Sequence, residues 1–278
     1  MSSSDSGLLS LVNASGFLFQ LRVEQEIIAT QAKHGKAVLA REYPWLHTTT
    51  QHAGFIDLIT SAGTNGKIVF ECKRVKAAEW VFLVPPQSKP TTSVRVLWTR
   101  RFSDTHQGAA WDSFSLKCQS LKSQFCVVRG QADAQQPMLE RIATILLVSV
   151  EALADEELAL NHPVGWSGLR FYFPAIVTTA VLQACHVDPS DIDLSTGELG
   201  TATFEEVPYI RFTKSMSTSL KSSKLPSTLQ ESVPEGDRTV FVVSATHLEQ
   251  FLSEPWEFNP PVHGAPWPWD LPIWQNAA

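Results

Sequence analysis

Two carboxylates and one ammonium group stand on strongly apolar segments in the first third of the chain. Asp57 lies within Gly54-Phe55-Ile56-Asp57-Leu58-Ile59. Glu71 and Lys73 lie within Ile68-Val69-Phe70-Glu71-Cys72-Lys73-Arg74. Charges on buried strands are costly unless something partners them. Glu71 and Lys73 are two residues apart, so they leave one face of a strand while Cys72 leaves the other. The intervening Ser61-Ala62-Gly63-Thr64-Asn65-Gly66 supplies turn residues and predicts a hairpin. With its turn centred near Thr64, positions that add up to 128 face one another. That register pairs Asp57 with Glu71, with Cβ atoms roughly 4.5–5.5 Å apart. A slip of one residue would separate their faces.

Side-by-side carboxylates repel unless a cation lies between them. A hard divalent ion meets this need: Mg²⁺ or Mn²⁺ takes one or two carboxylates and keeps water and phosphate oxygens as its other ligands. Lys73 can hold an attacking water or offset negative charge on a phosphorus centre. Such a set is equipped for hydrolysis of a phosphodiester, because the metal acidifies water and offsets the developing charge. The alternative is an ordinary cross-strand ion pair.

Asp57 followed by Glu71-x-Lys73 on the next strand resembles the PD-(D/E)xK nuclease superfamily, the restriction-endonuclease-like fold. The string Glu71-Cys72-Lys73 is similar to members that read Glu-Cys-Lys at this point. The proline that names the motif is absent, since Ile56 precedes Asp57, and no iron–sulfur cysteine group is visible. The resemblance covers Ser15 to Lys76. It implies an α/β fold with an αβββαβ core, a mixed sheet flanked by helices, here with added strands. It also implies that Asp57 and Glu71 bind Mg²⁺ or Mn²⁺ and that Lys73 orients or activates the water. A carboxylate of the first helix, Glu24 or else Glu26, would complete the site. The implied activity is a metal-dependent nuclease, acting on DNA rather than RNA, in restriction, anti-phage defence, repair or mobile-element processing. A homodimer would follow from the need to cut two strands. The rival reading is a catalytically silent nucleic-acid-binding or scaffold protein.

The elements that must position these residues are legible from periodicity. Ser15 caps a helix in which Phe19, Val23, Ile27 and Ile28 recur at helical spacing, and Gly35 ends it. Lys36 to Tyr43 reads as a strand that Pro44 stops. Trp45 to Ala53 reads as a loop carrying solvated His47 and His52. Further strands are expected at 80–84, 93–99, 125–129, 202–212 and 239–244, with a strand pair or bent strand over 169–185. Helices are expected over 135–160 and 246–252, the first of these completing the core with the strand after Phe171. Residues 1–14 read as a frayed leader, 15–253 as the nuclease domain, and 254–278 as a Trp/Pro-rich tail. That tail is expected to strap across the protein's own apolar surface, with partner docking as the alternative.

Composition supports one sizeable core. Of 278 residues, 44% are hydrophobic and 18% charged, which excludes global disorder. The net charge of −6 is unevenly spread. Residues 1–130 hold 15 Lys/Arg against 9 Asp/Glu, a net of +6, and residues 131–278 hold 7 against 19, a net of −12. Candidate phosphate contacts are Arg74, the strip Arg95, Arg100 and Arg101 around Trp98, and Lys214 within the basic segment Arg211 to Lys224, which reads as a loop. Four scattered cysteines form neither a zinc module nor a disulfide scaffold. With no segment apolar enough to cross a bilayer, a cytoplasmic protein is the expectation.

Overall fold

The structure is a computed structural model, and it describes residues 3–48, 51–75, 79–103, 106–128, 138–160, 168–220, 228 and 235–259. Helix α1 (Ser3–Ala14) comes first and leads through Ser15 and Gly16 into α2 (Phe17–His34). The buried residues of α2 are Gln20, Val23, Ile27 and Thr30; of the expected apolar positions Val23 and Ile27 are buried, Phe19 is half-buried and Ile28 is exposed. Gly35, at φ 70°, closes the helix by donating its N–H to Gln31. Strands β1 (Val38–His47), β2 (His52–Ala62) and β3 (Gly66–Lys73) then form an antiparallel meander. Next in the chain are β4 (Glu79–Val84), β5 (Thr91–Ser103), β6 (His106–Ser120), β7 (Lys122–Ser123) and β8 (Phe125–Val128). Helix α3 (Met138–Ala159) leads to β9 (Gly168–Thr178) and β10 (Val181–His186). After these come β11 (Thr203–Glu206), β12 (Tyr209–Ser215), β13 (Asp237–Ser244) and helix α4 (Leu248–Ser253).

The fold is mixed α/β. The large sheet runs β1-β2-β3-β9-β13-β12-β7, with the β5–β6 pair attached through β9. Strand β9 lies parallel to both β3 and β13. A smaller sheet runs β11-β10-β4-β8. Two apolar clusters cover the two faces of the large sheet. One gathers Leu139, Leu146 and Val150 of α3 with Val69 and Ile176; the other gathers Val23 and Ile27 of α2 and Phe251 of α4 with Phe70 and Val177. Successive residues of β3 thus enter opposite clusters, as the two-residue period requires. Among the described residues no helix is long and apolar enough to cross a membrane.

Several expectations are corrected. Residues 3–14 form a helix rather than a frayed leader. Strand β1 passes through Pro44 to His47, because it is an edge strand and an edge position tolerates the missing N–H. His47 is buried beside Glu151, not solvated. Arg211 lies in β12, fully buried, and donates to the carbonyl oxygens of Thr91, Ser93 and Cys118. The start of the tail does pack on the protein itself: Trp256 is buried against Phe173, Phe241 and Phe251. The remaining tail and residues 221–227 lie outside the described residues.

Glu151 on α3 is fully buried. Its carboxylate accepts from Trp111 Nε1 at 2.7 Å and from the backbone N–H groups of Ser219 and Leu220 at 3.0 and 3.1 Å. The buried Trp111 indole N–H and two part-buried backbone N–H groups would lose their acceptor in Glu151→Ala. We expect that variant to lose about 3 kcal/mol of stability or more, measured by chemical denaturation.

Candidate functional site

The β2–β3 ladder pairs Leu58 with Phe70, Ile59 with Val69, Thr60 with Ile68, Ser61 with Lys67 and Ala62 with Gly66. Each pair adds up to 128, so the expected register is the one formed. Gly63, at φ 60°, makes the turn. Gly66 is required beside it, since a Cβ there would lie 2.3 Å from the Ala62 carbonyl oxygen.

One step beyond Leu58 and Phe70, the ladder gives way to side-chain chemistry. Asp57 Oδ2 accepts the Cys72 backbone N–H at 2.6 Å. Asp57, Glu71 and Lys73 are half-buried and electrostatically coupled to one another. Burial pushes the Asp57 carboxyl up to about 6; the Cys72 N–H opposes the rise, the Glu42 charge adds to it and Lys73 opposes it. Burial pushes Glu71 up to about 7, with the Asp57 charge adding and Lys73 opposing. Both carboxyl groups are therefore short of compensating positive charge.

Glu42, which sequence reasoning passed over, sits beside this pair. In β1, Arg41 pairs with Leu58 and Tyr43 with Ile56, which sets Glu42 opposite Asp57. Glu42 and Asp57 are thus neighbours across β1 and β2, and the Glu42 charge acts on Asp57. Only a register across β1 could have exposed this, and the strand was expected to run from Lys36 and to stop at Pro44. Gln20 of α2 donates its Nε2 both to Glu42 Oε1 at 2.5 Å and to the Asp57 carbonyl oxygen at 3.1 Å. The helix carboxylates expected here have cationic neighbours instead: Glu24 lies 3.5 Å from Arg41 and Glu26 lies 2.6 Å from Arg22.

The candidate phosphate contacts are dispersed. Arg95 is buried and paired with Glu235 at 2.6 Å. Arg101 is buried and donates to the carbonyl oxygens of Leu158 and Leu160. Lys214 pairs with Glu140 and lies over the Phe125 ring. Arg100 is half-buried. Arg74 is exposed next to Lys73, and its guanidinium donates to the Asn13 carbonyl of α1. The exposed arginine strip expected around Trp98 is therefore not formed, because β5 is an interior strand flanked by β6 and β9.

Among the described residues, no three His, Cys, Asp or Glu side chains converge into a metal-binding group. A magnesium-type ion needs only one or two protein carboxylates. The Asp57–Glu71 pair fits that requirement, being desolvated, mutually repelling and short of cationic charge. No family model, curated protein or solved structure matches the chain.

The raised carboxyl groups make a signed prediction. The folded protein keeps protons on Asp57 and Glu71 at pH values where the unfolded chain has lost them. In metal-free buffer these two groups should therefore make stability fall as pH rises from about 4 to about 7. Glu71→Gln removes one of these ionisations. Its melting temperature at pH 8 in EDTA should exceed the parent's by roughly 2–4 °C or more, and the gap should close at pH 4.

Proposed function

We propose that the chain is a divalent-metal-dependent phosphodiester hydrolase, a nuclease of the restriction-endonuclease-like kind. The observation that carries this reading is that Asp57 and Glu71 stand just past the last pair of the β2–β3 ladder, Leu58 with Phe70, with the Asp57 charge acting on Glu71 and Lys73 acting on both. The order of elements supports it further. Helix α2, the β1–β2–β3 meander and, after the five strands β4 to β8, helix α3 and a strand β9 parallel to β3 come in the order that the αβββαβ plan of the resemblance would need.

In this reading Asp57 and Glu71 would hold Mg²⁺ or Mn²⁺. The bound ion supplies Lewis-acid activation of water and phosphate. Lys73 presents its ammonium group on the strand face that carries Glu71, where it orients the attacking water and offsets charge on the phosphate. Because Asp57 also holds the Cys72 N–H, the carboxylate stays in one orientation and fixes the open end of the hairpin. Exposed Arg74 is the cation nearest in sequence for a substrate phosphate. DNA is the proposed substrate, with RNA as the competing one.

A cleavage assay tests this with supercoiled, linear and single-stranded DNA and structured RNA, each with Mg²⁺, Mn²⁺ or EDTA. The parent should cut only with metal. Asp57→Ala and Glu71→Ala should show no cutting, and Lys73→Ala should lose about 10²-fold or more in turnover with little loss of cation affinity. Binding of nucleic acid without cleavage in any buffer would instead support the silent binding protein.

A further inference from the structure

Helix α1 finds no cover in the single chain. Every residue of it whose burial is described, Ser6 to Ala14, is exposed. Helices shorter than about 12–15 residues are marginal in water and owe their stability to an apolar face packed on something else. This one has 12 residues, and Gly7 and four serines lower its intrinsic helicity further. It does have such a face: Leu8, Leu11 and Val12 recur at i, i+3 and i+4, and Leu9 stands three residues before Val12. Helix α2 has one too, besides the residues it buries. Phe17, Leu21 and Ile28, with Leu18 beside them, leave the helix on the side away from Val23 and Ile27. All eight side chains are 42–69% exposed. At roughly 200 Å² for a fully exposed residue of this size, they offer about 800 Å² of apolar surface. The largest apolar patch of a typical monomer is about 300–600 Å². Each partner in a stable interface of standard size commits about 800 Å².

We propose that this face joins two copies of the chain, with α1 of each copy lying over the exposed stripe of α2 in the other. Each copy supplies one uncovered stripe of each kind, so a two-fold axis covers all of them at once, the isologous condition. The charges flanking the α2 stripe are paired within the chain, Arg22 with Glu26 and Arg41 with Glu24, and form a polar rim rather than a like-charge barrier. A membrane surface is the poorer match. A helix that lies on lipid carries Lys or Arg beside its apolar face, and α1 carries Asp5 and no basic residue. Such a dimer would form whether or not the chain cleaves nucleic acid.

Sedimentation velocity on the full chain over a range of micromolar concentrations tests this, with circular dichroism melts to report folding. The parent should sediment at twice the 30.8 kDa of one chain and melt at a temperature that rises with protein concentration. Leu11→Glu and Leu21→Glu should each raise the dimer Kd about 10²-fold or more, since each would bury a carboxylate without a partner. Phe204→Ser, at an exposed aromatic of β11 in the smaller sheet, should leave the dimer unchanged. Leu11→Lys mixed with Leu21→Glu should restore a heterodimer, because one α1–α2 contact then pairs opposite charges and the other keeps both leucines. A parent that stays at 30.8 kDa would overturn the proposal. So would a dimer that survives both glutamate variants, or one that Phe204→Ser dissociates equally. A mixture that stays monomeric would overturn the placing of α1 on α2. If a monomeric parent sediments with phosphatidylcholine vesicles, the face belongs to a membrane surface instead.

Discussion

The register of one hairpin governs the function proposed for this molecule. Five consecutive pairs between β2 and β3 hold it, and Gly63 and Gly66 admit the turn that sets it. Because side chains alternate between faces, a shift of one residue would exchange the contents of the two apolar clusters. Val69 would leave the α3 side and Phe70 the α2 side. The energetic penalty for slippage is thus set by the packing of the whole sheet. The carboxylates at the open end inherit that precision, and β9, parallel to β3, extends the same constraint into the centre of the sheet.

The treatment of charge elsewhere in the molecule makes the hairpin stand out. Glu151 is buried with three donors, Arg211 with three carbonyl acceptors, Arg95 with Glu235, and Asp112 with the Trp98 indole N–H at 2.6 Å. Each of these costs little because its partners are built in. Asp57 and Glu71 follow a different pattern. Burial raises both; the Glu42 charge adds to the rise of Asp57 and the Asp57 charge to that of Glu71, while Lys73 opposes both and the Cys72 N–H opposes the first. Two neighbouring carboxyl groups raised by burial and by nearby like charge are a departure from local consistency, the kind that natural proteins keep at functional positions.

The long β5–β6 pair shows why part of the fold was illegible. In His106–Ser120 the first residues, with Gly and Ala, carry no pattern, and the alternation of Phe114, Leu116 and Cys118 with Ser115, Lys117 and Gln119 marks only its second half. It is a strand because β5 offers it a complete ladder and because its polar groups find partners, Asp112 with Trp98 and Ser115 with Thr92. Arg211 and His47 were misplaced for a related reason. Both residue types are mostly exposed, and nothing nearby in sequence announces the carbonyl oxygens that accept from Arg211 or the Glu151 side chain that lies 3.8 Å from His47.

What the sequence determined by itself was local in origin. The apolar positions and glycine stop of α2, the turn residues of the hairpin and the two-residue period of its strands were enough to give the register of the β2–β3 ladder, at whose open end Asp57, Glu71 and Lys73 stand. These follow from backbone sterics and periodicity within about twenty residues, where few alternatives compete. Tertiary structure alone decided the rest. It brought Glu42 and Gln20 to Asp57, turned Glu24 and Glu26 toward arginines, and drew Arg95, Arg101 and Lys214 into internal pairs. The reason is that a charged side chain has no preferred place until the fold supplies its partner, and those partners come from strands and helices distant in the chain.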